Sequence, residues 1–90
     1  MRNKRIEFNT EKNDWLKKER GISFEEVIRA IESEAGLLDD VQHSLHKHQH
    51  VFVINMRGYA YNVPYVEDEE KIFLKTAYPS RKAKKIYKLK

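Results

Sequence analysis

Near Gly36 the spacing of apolar residues changes, and few architectures accommodate such a change. Before it, Phe24, Val27, Ile28, Ile31 and Ala35 recur at the 3.6-residue interval of a helix with one buried face. Beyond it, "HVFVINM" and "YAYNVPYV" read as strands, separated only by Arg57-Gly58, a two-residue connection suited to a tight hairpin. A helical first part feeding a hairpin-rich second part predicts an α+β domain.

Local signals sharpen this. "RIEFN" alternates and reads as a short strand or an extended lead-in. Asn9 or Thr10 can cap a helix running to about Arg20, with Trp15 and Leu16 as its few apolar contacts, and Gly21 is a natural left-handed stop. Ser23 followed by Glu26 forms a capping box, flanked by Ile22 and Val27 at staple positions, and Gly36 is expected to end that second helix. "EDEE" marks a turn before the strand "KIFLKTAY", and "GLLDD" offers a further strand. Pro64 has no N–H to give a ladder and is expected at an edge or bulge. After Pro79, Ser80 can cap a last short helix with Ala83, Ile86 and Tyr87 on one side. The expected architecture is two N-terminal helices packed on an antiparallel meander of three to four strands, with a short basic C-terminal helix. The 90 residues are read as a single domain, 1-90, since so short a chain builds one core.

Charge is unevenly placed. Of 18 basic residues, six lie in residues 80 to 90 with no acid and three in "MRNKR", which leaves nine against all 14 acidic residues between positions 6 and 79. A basic end on an acidic body points to nucleic acid or an acidic partner. With no cysteine there is neither a disulfide framework nor a thiolate metal site. No apolar run approaches the roughly 20 residues of a membrane span, and "MRNKRIEFNTEKND" lacks a signal peptide's apolar core. A cytoplasmic protein without membrane contact is expected.

Four segments in order, "EKNDWLKKERGISFEEV", "LLDDVQHS", an aromatic hairpin and "AYPSRKAKK", resemble the BrnT family of bacterial type II toxins, whose fold is similar to that of RelE-type messenger RNA endonucleases. The chain departs from that pattern at Arg20, where the family usually has histidine, and at "HKHQH", where it tends to carry an acid and an arginine. The resemblance implies a metal-free ribonuclease that needs no cofactor. It further implies a cognate antitoxin, often of ribbon-helix-helix type, and operator DNA bound only through the antitoxin complex.

Such chemistry moves the ribose 2′-hydroxyl onto the adjacent phosphate, and it needs a base, cations around phosphorus and an acid at the leaving oxygen. Arg81, at the "SR-A" position, suits the phosphorane oxygens because its planar fork stays charged. Lys75 offers a second cation, and His43, at the "HS" position, is the acid/base candidate. RNA contacts are expected from Lys12, Lys18, Lys82, Lys84, Lys85 and Tyr61. Tyr59, Tyr61 and Tyr65 fall on one side of a strand, as base-stacking platforms or as a sheet face packed on the helices. His46, His48 and His50 share a face of an extended segment and could chelate zinc or nickel. Their spacing matches no structural zinc motif, so an exposed polar loop is expected and no metal is assigned. Two further readings stay open, a non-catalytic nucleic-acid or antitoxin-binding module of the same fold and a histidine-loop metal protein.

Overall fold

A computed structural model of the chain describes residues 4–33, 36–42 and 49–87. In chain order these form β1 (Arg5–Phe8), α1 (Thr10–Arg20), α2 (Phe24–Glu32), β2 (Leu37–Gln42), β3 (Gln49–Met56), β4 (Tyr59–Glu67), β5 (Lys71–Leu74), β6 (Tyr78–Pro79) and α3 (Arg81–Ile86). The six strands make one sheet in the order β1-β5-β4-β3-β2, with β6 also paired to β4. The α+β class follows as expected. The sheet is larger than a three- to four-stranded antiparallel meander, and it is mixed, because β1 pairs with β5 in parallel. That pairing covers an otherwise open edge of β5, and Lys4 secures it by reaching Glu67 Oε2 and the Asp68 carbonyl, both at 2.7 Å.

The helices start where their caps dictate. The Asn9 side chain accepts from Lys12 N at 3.0 Å, and Gly21 closes α1 at φ 67°. The Ser23 hydroxyl accepts from Glu26 N at 3.2 Å. Glu26 does not complete the box with its own side chain; its carboxylate grips Arg57 through bonds of 2.6 and 2.8 Å. Arg57 sits at φ 59° and Gly58 at φ 76°, the left-handed pair that a tight hairpin turn demands. The salt bridge thus ties the hairpin tip to the first turn of α2. This helix stops at Glu32 rather than running on to Gly36, and Ala35 lies outside the described residues. Gly36 folds back so closely that a Cβ there would lie 2.2 Å from the Ala30 carbonyl oxygen. A side chain at position 36 would force this corner open.

The main core lies between α1, α2 and one face of the sheet. Leu16, Ile22, Phe24, Val27 and Ile31 meet Phe52, Ile54, Val63, Tyr65, Ile72 and Leu74. Tyr65 is fully buried, stacked on Phe52 at 4.0 Å, and its hydroxyl donates to Asp40 Oδ1 at 2.5 Å. Leu16 carries the burial of α1 alone among its apolar residues, since Trp15 is 41% exposed instead of packed. Asn13 is buried beside Leu16 and orders the turn between the helices. Its Oδ1 accepts from Phe24 N at 2.7 Å, and its Nδ2 donates to Glu25 at 3.0 Å.

Along the side of β4 that pairs with β5 and β6, the ladder is interrupted. Leu74 pairs with Tyr65, but Tyr78 pairs with Asn62, so the register slips by one residue across Lys75–Ala77. Pro64 stands in the middle of the sheet at that break. Its carbonyl accepts from Lys75 N at 2.8 Å, so its missing N–H falls on the side where the ladder is already interrupted.

Candidate nucleic-acid interface

The basic C-terminal helix is held by its few uncharged residues. Ser80 N donates to the Ala60 carbonyl at 2.9 Å, and the Ser80 hydroxyl accepts from Ala83 N at 3.1 Å. Ala83 and Tyr87 then pack on Val53, Ala60 and Leu38, on the sheet face opposite the main core. The Tyr87 hydroxyl donates to Asp39 Oδ2 at 2.5 Å, and this bond to a carboxylate holds the phenol above its ordinary pKa. Alternation along β2 sends the neighbouring carboxylates to opposite faces, Asp39 opposite Val53 and Asp40 opposite Phe52, so Asp39 anchors Tyr87 while Asp40 anchors Tyr65 in the main core. Ile86 does not join the packed side and is 60% exposed.

With Ala83 and Tyr87 facing inward, the cations of α3 turn outward. Arg81, Lys82 and Lys85 are exposed, and Lys84 lies over the Tyr59 ring at 4.6 Å. The first turn holds no acid, and cations there oppose the helix dipole. Lys75 shares this face of the sheet, because it continues the β5 register opposite Pro64. Tyr78, paired with Asn62, lies between Lys75 and α3 on the same face and is half-buried. Lys75, Arg81, Lys82 and Lys85 make no ion pair with any described residue, and the Tyr78 hydroxyl has no described partner. Lys75 lies opposite Pro64 and Ser80 opposite Ala60, four residues apart along β4, which separates the two backbones by roughly 13 Å. Both side chains must extend if Lys75 and Arg81 are to meet at one phosphate.

A second group of cations surrounds α1. Lys12 Nζ sits 4.0 Å from the centre of the Trp15 ring, and Arg20 Cζ sits 4.8 Å from it. Arg20 also donates to the Ala77 carbonyl at 2.7 Å. Arg20 therefore links this aromatic cluster to the interrupted segment that carries Lys75. Lys18 is exposed on the same helix.

The remaining predicted residues lie elsewhere. Tyr61 is half-buried against the main core, and it meets edge-on at 6.1 Å the same Tyr59 ring that Lys84 covers. His50 stacks on Tyr65 at 5.2 Å. His43, the acid/base candidate, lies outside the described residues, as do His46 and His48. Among the described residues no group of three or more histidine, aspartate or glutamate side chains is placed to hold a metal ion. No helix among them is long and apolar enough to cross a membrane.

Arg81, Lys82, Lys84, Lys85 and Lys75 are thus gathered on one sheet face, while Lys12 joins Trp15 on α1. Sequence reasoning assigns Trp15 to helix packing, notes Arg20 only as a departure from the family pattern, and passes over Tyr78. For Trp15 a signal exists: its helical neighbours at three and four residues are Glu11, Lys12, Lys18 and Glu19, all charged, which marks a solvent face. For Arg20 and Tyr78 nothing local gives their position, which depends on the pairing of distant strands. Compared with known protein families, with curated proteins and with solved structures, the chain matches none.

Proposed function

We propose that this chain is a toxin of the BrnT type, a metal-independent endoribonuclease of the cytoplasm with the RelE-like arrangement of helices on a sheet. The observation that carries this reading is the set of cations on one sheet face, Lys75, Arg81, Lys82 and Lys85, with no acidic partner among the described residues. Like charges held together without counterions are stabilised by a polyanion, and RNA supplies one. In the reaction the ribose 2′-oxygen bonds to phosphorus as its proton passes to a base, and the bond to the 5′-oxygen breaks as that oxygen takes up a proton. Arg81 supplies charge to the phosphorane oxygens, with Lys75 as the second cation. His43 is the residue assigned to proton transfer. At rest, an acidic segment of a ribbon-helix-helix antitoxin neutralises the same cations, and operator DNA is met only through that complex.

A specific observation favours a second reading. Arg81 has no hydrogen bond to any described residue that would fix its guanidinium, and it stands well apart from Lys75 along the sheet. An unfixed cation suits phosphate binding better than a preorganised transition-state contact. A non-catalytic module that regulates by binding RNA or an antitoxin would use the surface in that way.

Purified protein incubated with RNA in excess EDTA separates the two. The ribonuclease reading expects cleavage that leaves 2′,3′-cyclic phosphate ends. It also expects Arg81→Ala, still folded, to lose about 10²–10³ in turnover, the usual effect of removing one transition-state donor. RNA binding without cleavage by the wild-type protein, after preparations free of contaminating nuclease are tested, selects the binding module. Growth arrest on induced expression, relieved by the product of the neighbouring gene, checks the toxin assignment in cells.

A further inference from the structure

We infer that Trp15 is a platform on which one unpaired nucleobase stacks, with Lys12 and Arg20 serving the phosphates on either side. This rests on the reading that the protein binds single-stranded RNA and adds a site on α1 to the cations of α3. The ring is 41% exposed, yet it lies on a helix whose other apolar side chain, Leu16, is completely buried. Burial does not account for a tryptophan at that place. What surrounds it is positive: Lys12 at 4.0 Å and Arg20 at 4.8 Å from the ring centre. An aromatic face flanked by cations is the combination by which proteins hold single strands irrespective of sequence, since every base has a π-face and every nucleotide a charge.

The two cations differ in freedom. Arg20 is tied to the Ala77 carbonyl at 2.7 Å and keeps its place. Lys12 Nζ makes no ion pair with a described residue, so its flexible stem can leave the ring to a base and carry its charge to a phosphate. Position along the fold supports a continuous path. Phe8 pairs with Leu74 and α1 begins two residues after Phe8, while the end of α1 meets Ala77 through Arg20. The helix therefore runs beside Lys75–Ala77, the segment that leads to Tyr78 and Arg81. Because α1 lies on the core face and α3 on the opposite one, a strand that meets both Trp15 and the α3 cations wraps the sheet edge at that segment.

Trp15 is the only tryptophan in the chain, so its emission reports on the site directly. The experiment titrates the full chain with a fluorescein-labelled 2′-O-methyl oligonucleotide of mixed sequence and about ten nucleotides, which lacks the attacking hydroxyl. Anisotropy follows binding, and tryptophan emission is read in parallel with an unlabelled copy. Emission is expected to quench along the same saturation curve as anisotropy. Trp15→Leu, which keeps apolar bulk without a ring, is expected to weaken binding about 5- to 100-fold, and Trp15→Phe to restore it to within about threefold. Melting curves confirm that both variants fold. Binding by anisotropy with Trp15→Leu unchanged overturns the platform and leaves the RNA reading standing. Equal quenching by a duplex of the same sequence also overturns it, because paired bases present no free face. No binding of any single strand by the wild-type protein overturns the RNA reading, and the platform with it.

Discussion

Asn13 is the residue on which the helical layer turns. It is buried beside Leu16, and both ends of its amide are used, one on the Phe24 N–H and one on Glu25. Asn13→Ala would leave the Phe24 donor buried without a partner, so a loss of about 1–3 kcal/mol is expected in urea unfolding, with an unchanged slope. Asn13→Asp would keep the acceptor but place a carboxylate beside Glu25, and its loss should shrink as acid neutralises the pair. The Asn13 amide is also the largest influence holding Glu25 below its ordinary pKa, ahead of a backbone hydrogen bond. A depressed carboxylate stabilises the folded state above its unfolded pKa, and that contribution disappears as pH falls through the lowered value. The acid limb of the wild-type stability curve should therefore be steeper than that of Asn13→Ala. Equal limbs would show that the amide does not govern Glu25.

Among the elements, α3 is the least self-sufficient. Six residues are too few to form a stable helix in water, and four of them are basic, so tertiary contacts decide whether it forms. The Asp39–Tyr87 bond is the outer one of those contacts. Tyr87→Phe is expected to cost about 0.5–1.5 kcal/mol of local stability. Amide exchange in α3 should accelerate accordingly, with little change in β3 and β4. The bond also gives α3 an alkaline limit. The Tyr87 pKa is raised by Asp39, so the stabilisation is complete below the ordinary tyrosine pKa and is lost as pH rises through the higher folded value. A titration of phenolate absorbance, wild type against Tyr87→Phe, should show one tyrosine ionising late. Exchange in α3 should quicken over the same pH range. The elements differ in how legible they were. The Ser23 and Ser80 caps, the Gly21 stop and the Arg57-Gly58 turn are local chemistry, and the structure has each where the residues predict it. Parallel pairing of β1 with β5 is not local, because Arg5–Phe8 and Lys71–Leu74 lie far apart in sequence and carry no mark of each other. Ile86 misled because helical spacing gives a face only when a helix is long enough to have two, and docking here uses Ala83 and Tyr87 alone.

Across the whole molecule, two groups of cations lie on either side of the Lys75–Ala77 interruption, one on α3 and one around Trp15. The basic composition of the C-terminus was plain in the sequence, but its join to α1 was not, since it passes through one side-chain bond from Arg20 to the Ala77 carbonyl. If both groups hold one strand, binding must respond to salt as a single electrostatic event. Each neutralised phosphate on a single strand contributes about −0.7 to the slope of log K against log salt. With Lys75, Arg81, Lys82 and Lys85 engaged, a slope of about −3 is expected for a short single strand, and near −4 if Lys12 and Arg20 also reach phosphates. Lys82→Ala and Lys85→Ala should each lower the slope by about 0.7 and weaken binding to every sequence alike. Arg20→Ala makes the sharper test, because it removes one charge and also frees α1 from the Ala77 carbonyl. Its slope should fall by the same increment, while its affinity at high salt, where phosphate contacts are screened, should fall further than that of Lys82→Ala. Stacking on Trp15 persists at high salt and depends on α1 being held in place. A loss for Arg20→Ala that vanishes at high salt would mean that the α1 cluster acts through charge alone.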